Sequence, residues 1–197
     1  SELLADEFVS TIAVNTLIAA AAGGFFCTIT IWIVAGKPDV AMIGNGVLAG
    51  LVAITAPCGA VTPFWSMIIG GIGGVIVVVS VLFFDKVKID DPVGAVSVHG
   101  VCGAWGLLSV GIFAKYDDAF LGRVDAGLIY SGNFEQLAVQ GLMLVIIVAW
   151  VGATTALLFG ILEATIGLRV TAEEEIEGLD VLEHGLQGYA PDMAHTS

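Results

Sequence analysis

The chain has 197 residues, of which 57% are hydrophobic and 13% charged, and its net charge is −13. A soluble domain carries roughly 25% charged residues, so this composition does not fit a single water-soluble core, and it excludes disorder over most of the length. The mean hydropathy of +0.98 points to a chain that lies largely in a bilayer.

Five apolar spans follow one another in the sequence: Phe8 to Ala35, Val40 to Pro57, Pro63 to Phe84, Val93 to Ala114 and Gln136 to Gly167. The expected fold is therefore all-α, a polytopic helical membrane protein, with a transmembrane bundle over 1–167 and a polar tail over 168–197. The second span is short but nearly crosses the hydrocarbon, and the fifth is long enough that it must tilt or protrude. Lys37-Pro38-Asp39 breaks the first hairpin, Pro57-Cys58-Gly59 forms the second turn, and Asp85 to Pro92 is a polar loop. Pro92 suits the first turn of the fourth helix, with Asp90 and Asp91 at its positive end. The segment from Lys115 to Glu135 is the longest connection between spans.

Glycine is abundant, at 26 residues, and Gly46-xxx-Gly50 and Gly70-xxx-Gly74 have the spacing that lets membrane helices approach closely. Cys27, Cys58 and Cys102 are too scattered for a disulfide framework or a zinc site, so no metal and no cofactor are expected. Loop cations place the C-terminus in the cytoplasm: Lys37, Lys86, Lys88 and Arg169 fall inside, Lys115 and Arg123 outside. An odd number of spans then puts Ser1 outside. Residues 168–197 hold seven acidic residues and one Arg, a balance that argues against nucleic acid as a partner. Within that tail, Thr171-Ala172-Glu173-Glu174 matches a capping box, and Gly178 can end the short helix.

The run Gly94 to Ala114 contains a single His, Lys, Arg, Asp or Glu, and it is His99. A titratable group at that depth is costly unless it has a role. Burial favours the neutral imidazole, which can accept and donate a hydrogen bond. Three readings stand side by side: a hydrogen bond to a neighbouring helix, a proton or ligand relay in a pore, and haem ligation in an electron-transfer subunit. The last lacks a second histidine in a span, since His184 and His195 both lie in the tail. Thr55 can present a hydroxyl near a pore, or bond back to its own helix. Asn15 fits helix–helix attachment better than ligand binding, and Trp65, Trp105 and Trp150 fit packing better than cation binding.

Asp90-Asp91-Pro92 followed by Ser97-Val98-His99-Gly100-Val101-Cys102-Gly103 resembles the tenth-span motif of the ammonium transporter (Amt) family. Gly46-Val47-Leu48-Ala49-Gly50-Leu51-Val52 resembles its eighth span. Gly167-Leu168-Arg169-Val170, Glu173 to Gly178 and Glu183-His184-Gly185 resemble its tail. The resemblance implies spans seven to eleven of an eleven-helix fold, preceded by the end of span six. It implies a homotrimer in the cell membrane whose protomers each hold a narrow apolar pore. His99 matches the second of two pore histidines, the first belonging to a fifth span outside this sequence. Ser1 matches the serine of the outer cation site, whose aromatic partners also lie outside it. Ammonium or ammonia is then the expected substrate, and no enzymatic activity is expected. The tail, with Arg169, Thr171, Glu173, Glu174, Glu175, Glu177 and Gly178, resembles the regulatory segment that meets neighbouring protomers and a PII-type signal protein. An ammonium sensor on the same scaffold is the alternative reading.

Overall fold

The computed structural model describes residues 8–115, 125–186 and 188, with the side chain of Phe8 outside the description. Ser1 lies outside the described residues. The helices are α1 (Phe8–Ala35), α2 (Val40–Thr55), α3 (Pro63–Val87), a π-turn (Val96–Val101) that runs into α4 (Cys102–Phe113), α5 (Leu128–Ser131), α6 (Glu135–Thr165), α7 (Ala172–Glu177) and α8 (Asp180–His184). No strand occurs among the described residues. Among the described residues, four segments are long and apolar enough to cross a membrane: Val9–Ala35, Pro63–Val87, Val96–Phe113 and Glu135–Thr165. The second expected span, α2, has only 16 residues.

The chain forms two compact units, Ser1–Ile147 and Val148–Ser197, and the division falls within α6. In the first unit α1 packs against both α2 and α3, α2 also packs against α3, and α4 lies mainly on α2. Lipid tails are as apolar as leucine, so close backbone approach rather than hydrophobic exclusion must hold these helices together. The expected glycine pairs provide it. A Cβ on Gly46, Gly50, Gly70 or Gly74 would fall within 3.0 Å of Cys27, Ala19, Ala19 or Gly23 respectively, all on α1. A Cβ on Gly106 of α4 would sit 2.6 Å from the Ala53 carbonyl oxygen of α2. Three apolar clusters fill the remaining space, the smallest being Ala60, Val110 and Ala114; two are larger. One gathers Ile12, Ala53, Ile54, Val61, Ile69 and Phe113. The other gathers Cys27, Ile31, Ala49, Val77, Val78, Val98 and Cys102.

The boundaries differ from the sequence expectation in ways with local causes. Helix α2 stops at Thr55 rather than Pro57, because the chain turns there and Ala60 N–H bonds the Pro57 carbonyl at 2.8 Å. Asn15 secures this turn from α1, donating from Nδ2 to the Cys58 and Val61 carbonyls at 2.8 Å each. Helix α3 runs on to Val87, so Asp85 and Lys86 are helical; Lys88 ends it with φ of 58°. Pro92 is not in the fourth helix at all. It belongs to a turn that Gly94 closes at φ of 70°, a backbone shape open to glycine without strain. Helix α5 is an additional short element in the connection before α6.

In the second unit α7 carries the expected capping box. The Thr171 hydroxyl accepts from Glu174 N–H at 3.3 Å, and Glu174 Oε2 accepts from Thr171 N–H at 2.8 Å. Gly178 follows with φ of 92°, and α8 is a further helical turn that the sequence pattern did not announce.

Gly74→Ala is expected to destabilise the bundle by about 1–3 kcal/mol, because its methyl meets backbone that cannot yield. Gly141→Ala, with nothing within 4 Å of its added Cβ, is expected to be neutral or slightly stabilising. Thermal unfolding of both variants in detergent checks this, and equal losses would refute it.

Candidate functional site

His99 sits in the π-turn, and its side chain is exposed rather than buried. The reason for this outward position is local. The wide turn directs Ser97 and Val98 inward and leaves Val96, His99 and Gly100 outward. On α2 the exposed residues include Gly44, Leu48 and Thr55, with Leu51 half-buried. Spaced three and four apart, they form one stripe. Gly103 lies against Val52, where a Cβ would be 3.7 Å from Val52 Cγ1. That contact is part of the seam between α2 and α4. His99 and Thr55 are the exposed imidazole and hydroxyl on these two elements. Measured through the level of Gly106, opposite Ala53, His99 lies about 13 Å along the helices from Thr55, at 1.5 Å per helical residue.

The Thr55 hydroxyl bonds back to the Leu51 carbonyl at 2.7 Å. Its donor is therefore taken, and its oxygen lone pairs are what it offers a ligand. Trp105 donates to the Ile69 carbonyl at 3.0 Å, and Trp65 donates to the Tyr130 hydroxyl at 2.9 Å while stacking against Phe113 at 4.7 Å. Both are structural partners at this end of the bundle. The tail residues Arg169, Thr171, Glu173, Glu175, Glu177 and Gly178 are exposed, and Glu174 is half-buried in its capping box. The Thr171 N–H and hydroxyl hold the Glu174 carboxyl below the usual carboxylate range. No group of three His, Cys, Asp or Glu that could hold a metal occurs among the described residues.

Asp91 does more than sit near a helix end. Its side chain is nearly enclosed, and its two oxygens accept from Val96 N–H at 2.9 Å and Ser97 N–H at 3.1 Å. The Ser97 hydroxyl adds a third bond at 2.9 Å. Burial by itself raises its pKa, but these donors, with the Ala95 N–H, outweigh burial and hold it below the ordinary 3.8. The sequence announced the carboxylate but not its register, and Ser97 and Ser80 were not singled out. A serine pair 17 residues apart has no periodic signature.

Comparison with known proteins settles the family. The model of the Ammonium Transporter Family matches residues 1–189. The chain belongs to the ammonium transporter family. It is 45% identical over 193 residues to the ammonium transporter Amt2 of Archaeoglobus fulgidus, covering 96% of this chain and 41% of that protein. It is 34% identical over 185 residues to ammonium transporter 1 member 2 of Arabidopsis thaliana, covering 92% of this chain and 36% of that one. Among solved structures, a sensor Amt protein superposes with a TM-score of 0.80 at 35% identity, covering 91% of this chain and 43% of that one. Candida albicans Mep2 superposes with a TM-score of 0.77 at 28% identity, over 85% of this chain and 38% of that one. The chain thus spans well under half the length of these relatives. It is a multi-pass, all-helical membrane protein with the family's fold.

Asp91→Asn is expected to cost about 1–2 kcal/mol at neutral pH, the range for losing a helix-capping side chain. A carboxyl held below its ordinary value gives stability that is fully present above that value and lost as pH falls through the lower folded-state value. The difference in melting temperature between wild type and Asp91→Asn should therefore hold steady down to about pH 4 and close below it. A difference that persists unchanged in strong acid would contradict the assignment.

Proposed function

We propose that the protein carrying this chain conducts ammonium across the cell membrane, and that His99 is a pore histidine. One observation carries the reading: in a chain of this family, the intramembrane histidine stands exposed on an apolar face rather than packed into the bundle. Carrying a bare cation along such a face costs several kcal/mol. Ammonium escapes that cost by leaving its proton behind and passing as ammonia, hydrogen-bonded to the imidazole. Potassium has no proton to leave and bears the full desolvation penalty. That asymmetry is the basis of selectivity. A proton can travel separately between imidazoles, His99 pairing with the histidine that the resemblance places on the fifth span.

Ser1 belongs to the outer cation site in this reading, where its hydroxyl accepts from ammonium. Thr55 offers its oxygen further along the same face. The protein assembles as a homotrimer in the plasma membrane, with the Ser1 side outside and the C-terminus cytoplasmic. The acidic tail is regulatory, and Arg169 with Thr171 to Gly178 meets neighbouring protomers and a PII-type protein. The second reading is an ammonium sensor, favoured by the resemblance to a solved sensor Amt protein at a TM-score of 0.80. Transport is the stronger reading because the relatives Amt2 and ammonium transporter 1 member 2 are named as transporters.

In the full-length protein, His99→Ala is expected to lower the saturating ammonium current in liposomes by at least about a hundredfold, the usual weight of a positioned proton-transfer group. Wild-type current and selectivity in that variant would remove His99 from the mechanism. Deleting residues from Thr171 onward is expected to abolish PII binding and change regulation while leaving the selectivity of the open pore. Unchanged regulation and binding in that deletion would refute the assignment of the tail.

A further inference from the structure

The buried stripe of α4 runs through Cys102, Gly106, Ser109, Val110 and Phe113. Continued backwards with α-helical spacing, it would take in Val98 and His99, then Ala95. The structure buries Gly94, Ser97 and Val98 instead, and exposes Ala95, Val96, His99 and Gly100. The stripe has slipped by one residue, and the π-turn at Val96–Val101 is the cause, since it winds more residues into each turn. In the α register, His99 would point into the cluster of Cys27, Val77, Val78 and Cys102.

The slip places a hydroxyl, Ser97, at a position with no exposed surface. A hydroxyl there needs partners. Ser97 Oγ donates to Asp91 Oδ2 at 2.9 Å and accepts from Ser80 Oγ of α3 at 3.0 Å. Asp91 takes the Val96 and Ser97 N–H groups with its two oxygens, so both donors freed at the helix start are satisfied in the π register. Gly94, at φ of 70°, brings Asp91 back over that turn, and Gly94 N–H bonds the Asp91 carbonyl at 2.9 Å.

We propose that Ser97, held between Asp91 and Ser80, is a positioning residue for ammonium conduction: it locks the π register and thereby turns His99 out of the bundle onto the pore face. The inference rests on the reading of His99 as a pore histidine. All three side chains are buried in the bundle. They act only through the direction of the imidazole. In an α register the substrate would lose its hydrogen-bond partner while the outer recruitment site stayed as it was.

The test uses the full-length protein in liposomes, with Ser97→Ala and the milder Ser80→Ala, read by ammonium currents and by a cryo-EM map of each variant. Ser97→Ala is expected to lower the saturating current at least about tenfold, as misplacement of a reacting group by an ångström or so does, with little change in the half-saturating concentration. Its map should show residues 96–101 tightened towards α-helix and His99 rotated inward. Ser80→Ala should give a smaller loss in the same direction, and it decides the matter if Ser97→Ala does not assemble. A map with the π-turn intact and His99 unmoved would overturn the inference, as would an unchanged saturating current. If wild type itself conducts no ammonium, the transport reading fails, and the maps still decide whether Ser97 sets the direction of His99.

Discussion

Close contact between helix backbones is the constraint on which the bundle rests. In water, a helix face can be loosely packed and still be driven inward by its apolar area. In lipid that drive is absent, and dispersion contacts between closely approaching surfaces must replace it. Gly23 of α1 shows the extent of the demand: its backbone is met by Gly46 and Gly50 of α2 on one side and Gly74 of α3 on the other. With α1 fixed against both, α2 has one side left for α4, which Gly106 brings onto the Ala53 carbonyl and Gly103 onto Val52. The stripe of Gly44, Leu48, Leu51 and Thr55 is part of what remains of α2 after these contacts are made. Which side of α2 stays open is thus a consequence of where the glycines stand.

Several hydroxyls inside the bundle are satisfied close to home. Ser66 and Ser109 bond carbonyls three residues earlier, at 2.8 and 2.7 Å, and Thr28 bonds one four residues earlier at 2.7 Å. Such bonds keep a hydroxyl from seeking partners across the bundle. The Asp91–Ser97–Ser80 chain departs from this habit by reaching from a loop through the π-turn to α3. A partly satisfied network in a low-dielectric setting is worse than none, so its completeness matters. The bundle accepts a carboxylate and two hydroxyls at the head of α4 and in exchange keeps the imidazole out of its own interior.

Much of this was legible in the sequence. The five spans, the two small-residue pairs and the capping box at Thr171 follow from hydropathy, spacing and local chemistry that act within a few residues. The first helix ends at its expected limit, Ala35, because Gly36, Pro38 and Asp39 break it sharply. What escaped depends on partners far along the chain. The early stop of α2 rests on Asn15, more than 40 residues away. The exposure of His99 rests on a π register that no periodicity announces, because a single slipped turn looks like noise in a hydrophobic pattern. Ser97 in particular reads as a small residue of a membrane helix until Ser80 is seen beside it.

The short α2 bears on the same face. At 16 residues it spans about 24 Å, less than the roughly 30 Å of hydrocarbon, so non-helical backbone must begin at membrane depth. Such backbone is tolerated only where its polar groups are satisfied by protein or by a water-filled cavity. Asn15 satisfies the Cys58 and Val61 carbonyls, and Lys115 N–H bonds the Ala60 carbonyl at 2.8 Å. The turn after Thr55 is therefore closed by protein from two sides, and the stripe above it need not be sealed by further helix.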